Sequence, residues 1–430
     1  MEQARKANLV ERYKAVPVSE RYWWKVVALG FFGWILMYAD RTILNPVMGQ
    51  IGAQFGLSNA QLGLVNSVFF LAYAATQIPF GIVADKLGRK LVIALGFILF
   101  GVTTYLSGVA SAFGVFMLYR VLTGIGEAAF YGPGYALSTE SIPTKKLTLG
   151  TAIINSGMAF GTSLGYLLSS KIVLENGEHW SQPFFIMAIP TVLLGVLYFS
   201  MLKEKVIRPE DAHSQGVEAK FQGTSASEAG SQSIEKFSFK AIISNKNLLV
   251  TFILCFCSIY ANFVILTWLP QFLQVERGFA GTSVGFISSL VPWASIPGAL
   301  ILARLSDKYK TTKKFIYFLV PLSIITSFGI AFVTSRTLLI AALLVYGLTG
   351  KLALDPILVA FVTKNAPKSS LSTTLSAYNF VGMSGAILAP YITGWIADTT
   401  GSMKVGFYLA SVLLLIGMVI FITFAEDKND

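Results

Sequence analysis

Charged side chains inside otherwise apolar stretches are the residues here that could do chemistry. Asp40 and Arg41 stand side by side, with no other charge between Lys25 and Asp85. Arg120 and Glu127 are seven residues apart, and Lys351 and Asp355 four apart. A charge near a bilayer centre costs roughly 2.5 to 3.5 kcal/mol on insertion scales, and such residues face a bundle interior or a water-filled path. On a helix, a spacing of seven puts Arg120 and Glu127 on nearly one face, roughly 10 Å apart. Arginine keeps its proton and forks onto carboxylates, whereas a desolvated acid titrates nearer neutrality. Arg41 and Arg120 are therefore the candidate anion ligands, and Asp40 and Glu127 the candidate proton carriers. The other reading is a purely structural quartet of ion pairs. Lys351 and Asp355 can pair along one helix face. They either neutralise each other against a cavity wall, or Lys351 grips a second anionic group of a substrate while Asp355, itself a candidate proton group, tunes its charge.

The elements that hold these residues are apolar helices. The 430 residues are 54% hydrophobic and 13% charged, about half the roughly 25% charge of soluble domains. Apolar runs of about 20 residues predict spans near 23–54, 60–84, 90–110, 114–139, 147–173, 182–202, 247–271, 281–304, 314–333, 337–361, 369–397 and 401–424. The fold class expected is an all-α polytopic membrane protein with twelve transmembrane helices in two six-helix bundles. Its parts are an amino-terminal tail (1–22), a first bundle (23–202), a polar linker (203–246), a second bundle (247–424) and a tail (425–430). Lys and Arg concentrate in alternate loops, which places both termini in the cytoplasm. The first 21 residues are polar and carry no cleavable signal, so the amino terminus is expected to stay there.

The net charge of +11 sits in short loops and forms no basic face, so nucleic acid is not an expected partner. No metal-ligand pair and no nucleophile with a histidine partner suggests an enzyme or a metal site. His179 and His213 fall in predicted loops and read as solvated surface residues. Cys255 and Cys257, two apart on one helix, point to different faces and cannot bridge. Gly157, Gly161 and Gly165 read as a packing stripe.

Gly81-Ile82-Val83-Ala84-Asp85-Lys86-Leu87-Gly88-Arg89-Lys90 follows the second span, and a weaker copy, Ala303-Arg304-Leu305-Ser306-Asp307-Lys308-Tyr309-Lys310, follows the eighth. The first resembles the signature loop of the major facilitator superfamily. This implies a cytoplasmic latch of Gly81, Asp85, Gly88, Arg89 and Lys90, with Glu140 as a partner of Arg89 or Lys90 and Asp307 as the second-half counterpart.

A narrower resemblance rests on Tyr38-x-Asp40-Arg41, Arg120-x6-Glu127, Tyr73 before Gln77-Ile78-Pro79, and Tyr378-Asn379-Phe380. These look like the anion:cation symporter branch, with its aldonate and hexuronate transporters and its sialin and vesicular glutamate carriers. The resemblance implies proton-coupled symport of an organic anion, a sugar acid or other carboxylate. Arg41 and Arg120 would be its ligands, with Tyr38, Tyr73, Gln77 and Asn379 around them, and Asp40 and Glu127 its proton sites. It further implies a monomer in the cell membrane that uses the proton gradient and no cofactor. A spinster-like carrier of lysolipids or amphiphiles is similar in the same charged positions, and a proton-coupled exporter is a third reading.

Overall fold

In the computed structural model, residues 16–208, 245–309, 312–366 and 371–426 are described, without the side chains of 303, 307 and 371–373. Helix α1 runs from Tyr22 to Ile43. Pro46 cannot donate to an α-helical ladder, so the chain tightens into a 3-10 turn, Asn45–Val47, before continuing as Met48–Phe55. Helix α2 (Asn59–Leu87) starts at a capping box in which Ser58 and Gln61 satisfy each other's backbone N–H groups. It stops at Gly88, whose φ of 102° suits glycine alone. There follow α3 (Arg89–Gly108), α4 (Phe113–Ala128, then Tyr131–Ser141), α5 (Leu147–Ser169) and α6 (Gln182–Met201). The second half comprises α7 (Lys246–Val275), α8 (Thr282–Tyr309), α9 (Thr312–Phe332), α10 (Arg336–Thr349, then Lys351–Asn365), α11 (Leu371–Thr400) and α12 (Lys404–Phe424).

Two expected continuous spans are broken, α4 between Ala128 and Tyr131 and α10 at the extended residue Gly350. Each break lies next to a charged residue, Glu127 or Lys351. Interrupted helices at membrane depth persist where they line a cavity or are covered by protein.

Eleven of the twelve are long and apolar enough to cross a membrane. The twelfth, α5, is rich in small residues, and these let it approach α1. A Cβ on Gly161 would stand 2.3 Å from the Ile35 carbonyl oxygen, and Gly157 and Gly165 face the carbonyls of Phe31 and Ala39 as closely. The chain is thus an all-α multi-pass membrane protein of two six-helix bundles.

Within the first bundle α1 packs on α5, and α3 on α6; within the second α7 packs on α11 and α12. The bundles meet where α2 crosses α11 and α5 crosses α8. Glycines allow both crossings: a Cβ on Gly63 would lie 2.2 Å from the Pro390 carbonyl oxygen, one on Gly394 2.2 Å from that of Asn59, and one on Gly285 2.6 Å from that of Tyr166. At the other end the same helices part. No α2 side chain from Ala74 to Val83 is buried, and Phe380 of α11 is 73% exposed. The molecule is therefore closed where α2 begins and open where the Gly81–Lys90 loop lies.

One departure from an all-helical reading is small. Val16–Pro17 and Val206–Ile207, expected as unpaired tail and linker, form a two-residue parallel ladder beside the first bundle. Most of the expected linker, from 209 to 244, falls outside the described residues.

Candidate functional site

The four charges of the first bundle pair crosswise between α1 and α4. Arg41 Nε donates to Glu127 Oε2 at 2.7 Å, and Arg120 Nη1 donates to Asp40 Oδ2 at 3.0 Å. Neighbours on a helix point about 100° apart, so Asp40 and Arg41 each reach a different partner. Both pairs are withdrawn from solvent, with Arg41 the most accessible at 7%.

The two pairs differ in what surrounds them. Asp40 is satisfied at both oxygens, since Thr104 of α3 donates its hydroxyl to Oδ1 at 2.5 Å. Glu127 is held at Oε2 only, and its Oε1 has no hydrogen-bond partner among the described residues. Arg41 carries an aromatic shell: its Cζ lies 4.5 Å from the Tyr73 ring centroid, 4.9 Å from Tyr38, 5.6 Å from Phe70 and 5.8 Å from Phe69. Phe69 also covers Arg120, at 5.0 Å, so that one ring packs on both cations. Arg120, expected to touch an anion, is fully buried behind that ring. Of the two arginines, Arg41 is the one beside the cavity.

The opposite wall comes from the second bundle. Lys351 Nζ lies 2.9 Å from Asp355 Oδ1, and the Tyr378 hydroxyl of α11 donates to that same oxygen at 2.9 Å. Tyr131, 40% exposed at the start of the second part of α4, lies within electrostatic range of both Lys351 and Asp355. It stacks edge-on with Tyr135, whose hydroxyl donates to Asn155 Oδ1 at 2.6 Å. Asn379 is exposed on α11, and Gln77 is half-buried on the open part of α2.

Asn66 of α2 is part of the closed end. It donates to Asn45 Oδ1 at 3.2 Å, and Asn45 donates across the halves to the Leu266 carbonyl at 2.9 Å. Tyr166 donates to that carbonyl as well, at 2.5 Å. Asp398, at the end of α11, accepts from the backbone N–H groups of Asn59 and Ala60 at 2.9 and 2.8 Å, capping α2 from the other half. Glu175, at the end of α5, accepts from the backbone N–H and hydroxyl of Thr282 and caps α8 in the same way.

In the signature loop, Arg89 Nη1 lies 2.6 Å from Glu140 and Nη2 lies 3.7 Å from Asp85. Glu204 accepts from the backbone N–H groups of Arg89 and Lys90, at 2.5 and 2.9 Å. These contacts lie within the first half, and among the described residues Asp85 makes no ion pair with the second bundle. Gly81 faces open space, Lys90 lies 4.6 Å from the Phe199 ring, and Asp307 lies in α8 with its side chain outside the described residues.

Sequence reasoning missed Thr104, Asn45, Glu204, Glu175 and Asp398. The last two carried a signal, a carboxylate near a helix end in a charge-poor chain; the others carried none.

Twelve helices in two bundles with paired charges buried among them mark a membrane transporter, and residues 30–390 match the Major Facilitator Superfamily, to which the chain belongs. A putative tartrate transporter of Agrobacterium vitis is 25% identical, over 90% of each chain. A probable galactarate/D-glucarate transporter of Bacillus subtilis (strain 168) is 24% identical, over 95% of this chain and 94% of that one. Such relatives belong with the anion:cation symporter branch. The solved structure of a bacterial homologue of the human lysosomal transporter spinster, inward-facing and unoccupied, superposes with a TM-score of 0.74 at 18% identity, covering 95% of this chain and 96% of that one. At that identity the likeness concerns the fold.

Proposed function

We propose that the protein is a proton-coupled symporter of an organic anion, a sugar acid or related carboxylate, working by alternating access. The observation that carries this reading is the Arg41–Glu127 pair, placed beside the cavity with one glutamate oxygen free. A proton bound at Glu127 neutralises the carboxylate and frees the Arg41 guanidinium for the substrate carboxylate. Site charge is then the same before and after loading. Tyr38, Tyr73, Gln77 and Asn379 supply polar contacts to the anion. Asp40 and Arg120 form the deeper pair that responds when the first one opens, and Asp355 is the acid of the second half.

The open end faces the cytoplasm, with both termini there, and the protein works as a monomer in the cell membrane. In the outward-open state the Asp85, Arg89, Lys90 and Glu140 loop closes on the second bundle near Asp307. The substrates after which these relatives are named, tartrate and galactarate/D-glucarate, support the anion class.

Purified protein in liposomes, tested with a panel of carboxylates under an imposed inward proton gradient, should accumulate at least one of them. In Glu127→Gln that accumulation should fall by at least tenfold while exchange of internal for external anion persists. Accumulation by Glu127→Gln that still follows the pH gradient would refute the coupling scheme.

A further inference from the structure

We infer that Lys351, Asp355 and Tyr378 form a second carboxylate subsite, so that the preferred substrate carries an acid group at each end. The inference rests on the organic-anion reading above and assigns the substrate's far end. Lys351 and Asp355 keep 18% and 35% of their side-chain surface exposed, whereas Arg120 and Asp40 keep 0% and 1%. The second-half pair can therefore be reached from the open cavity without moving a covering ring.

The pair is also built to open. An ammonium group has three donors, and Asp355 engages Lys351 at a single oxygen. Tyr378 donates to that same oxygen, so Asp355 keeps a hydrogen bond when Lys351 turns to another acceptor. In Lys351 the charge sits on a flexible stem, which suits it to follow substrates of differing length.

A cluster of aromatic side chains connects the two cations across the halves. The Tyr38 ring lies 4.9 Å from the Arg41 guanidinium, Tyr38 and Tyr131 pack on the same Trp34 ring at 5.7 and 6.0 Å, and Tyr131 in turn lies near Lys351 and Asp355. A substrate with one carboxylate on Arg41 thus extends past these tyrosines toward Lys351. A monoacid would leave Lys351 on Asp355, while a diacid exchanges its second carboxylate for Asp355.

The test uses an aldonate and the aldarate of the same carbon skeleton, gluconate and glucarate, as substrates of the full chain in liposomes under an inward proton gradient. The wild type should show the lower KM for the diacid. Lys351→Met should raise the diacid KM at least tenfold and change the monoacid KM less than threefold. Lys351→Arg should keep the diacid preference. Monoacid uptake by Lys351→Met, together with its melting temperature in detergent, is the internal control for folding. An unchanged ratio of the two KM values in Lys351→Met overturns the subsite, as does a wild type that moves only the monoacid; in both cases the anion reading survives. Loss of monoacid uptake in Lys351→Met makes the pair structural and also overturns it. A wild type that moves neither of these nor any other carboxylate of the panel overturns the subsite and the anion reading together.

Discussion

The two halves use charge at different depths. In the first, four ionised groups cross-pair between α1 and α4, sealed by Phe69 and Thr104 and almost without exposure. In the second, one pair four residues apart on α10 stands at the cavity edge with a tyrosine behind it. A charge in a dry bundle is held by its partner, because alone it would bear the full desolvation cost; a charge at a wet wall is screened and free to change partners. The first half thus supplies a deep site in which binding and proton uptake are tied together, and the second an adjustable one.

Stability measurements can break or sharpen that contrast. Arg120→Met removes the charged partner of Asp40 inside the bundle, and should cost about 3–5 kcal/mol, read as a large drop in melting temperature in detergent. The charge-balanced Asp40→Asn/Arg120→Met should recover most of it. Thr104→Val, which removes the hydroxyl from Asp40 Oδ1, should cost about 1.5–3 kcal/mol in the same assay, the range for a hydrogen bond to a charged group. Lys351→Met should cost the least, under about 0.5 kcal/mol, because its pair is partly exposed and screened. A loss at Lys351 as large as that at Arg120 would erase the distinction between the halves.

Much of this arrangement is legible in the sequence. Apolar run lengths, loop charge and the repeated loop after α2 and α8 give the helices, their halves and the family, and every charged site residue stands out against its apolar background. The partners do not stand out. Asp40 beside Arg41 suggests a joint role, but the 100° turn between neighbours sends them to different partners on α4. Thr104 is one hydroxyl among many in apolar helices, and only packing of α3 against the α1–α4 pair gives it a task. Tyr378 lies beside Asn379, and helical phase gives it the contact with Asp355. The breaks at Ala128–Tyr131 and at Gly350 were hidden because the hydropathy runs through them.

The closed end, finally, sets a thermodynamic toll on the opposite conformation. Asp398 of α11, which caps α2, and Glu175 after α5, which caps α8, are exchanged caps, each half finishing a helix of the other, and both must let go before the cavity can open on that side. Hydrogen bonds from Lys171 and then Thr282 hold the Glu175 carboxyl down to about 2, against an ordinary value of 4.5. With the folded value depressed, its contribution is complete above 4.5 and is lost only as pH falls toward 2, so acidity in the physiological range does not lift the clasp. The apparent Kd from that side equals the intrinsic Kd divided by the fraction of molecules open there. Weakening either cap therefore tightens apparent binding from that side without altering any residue that touches the substrate.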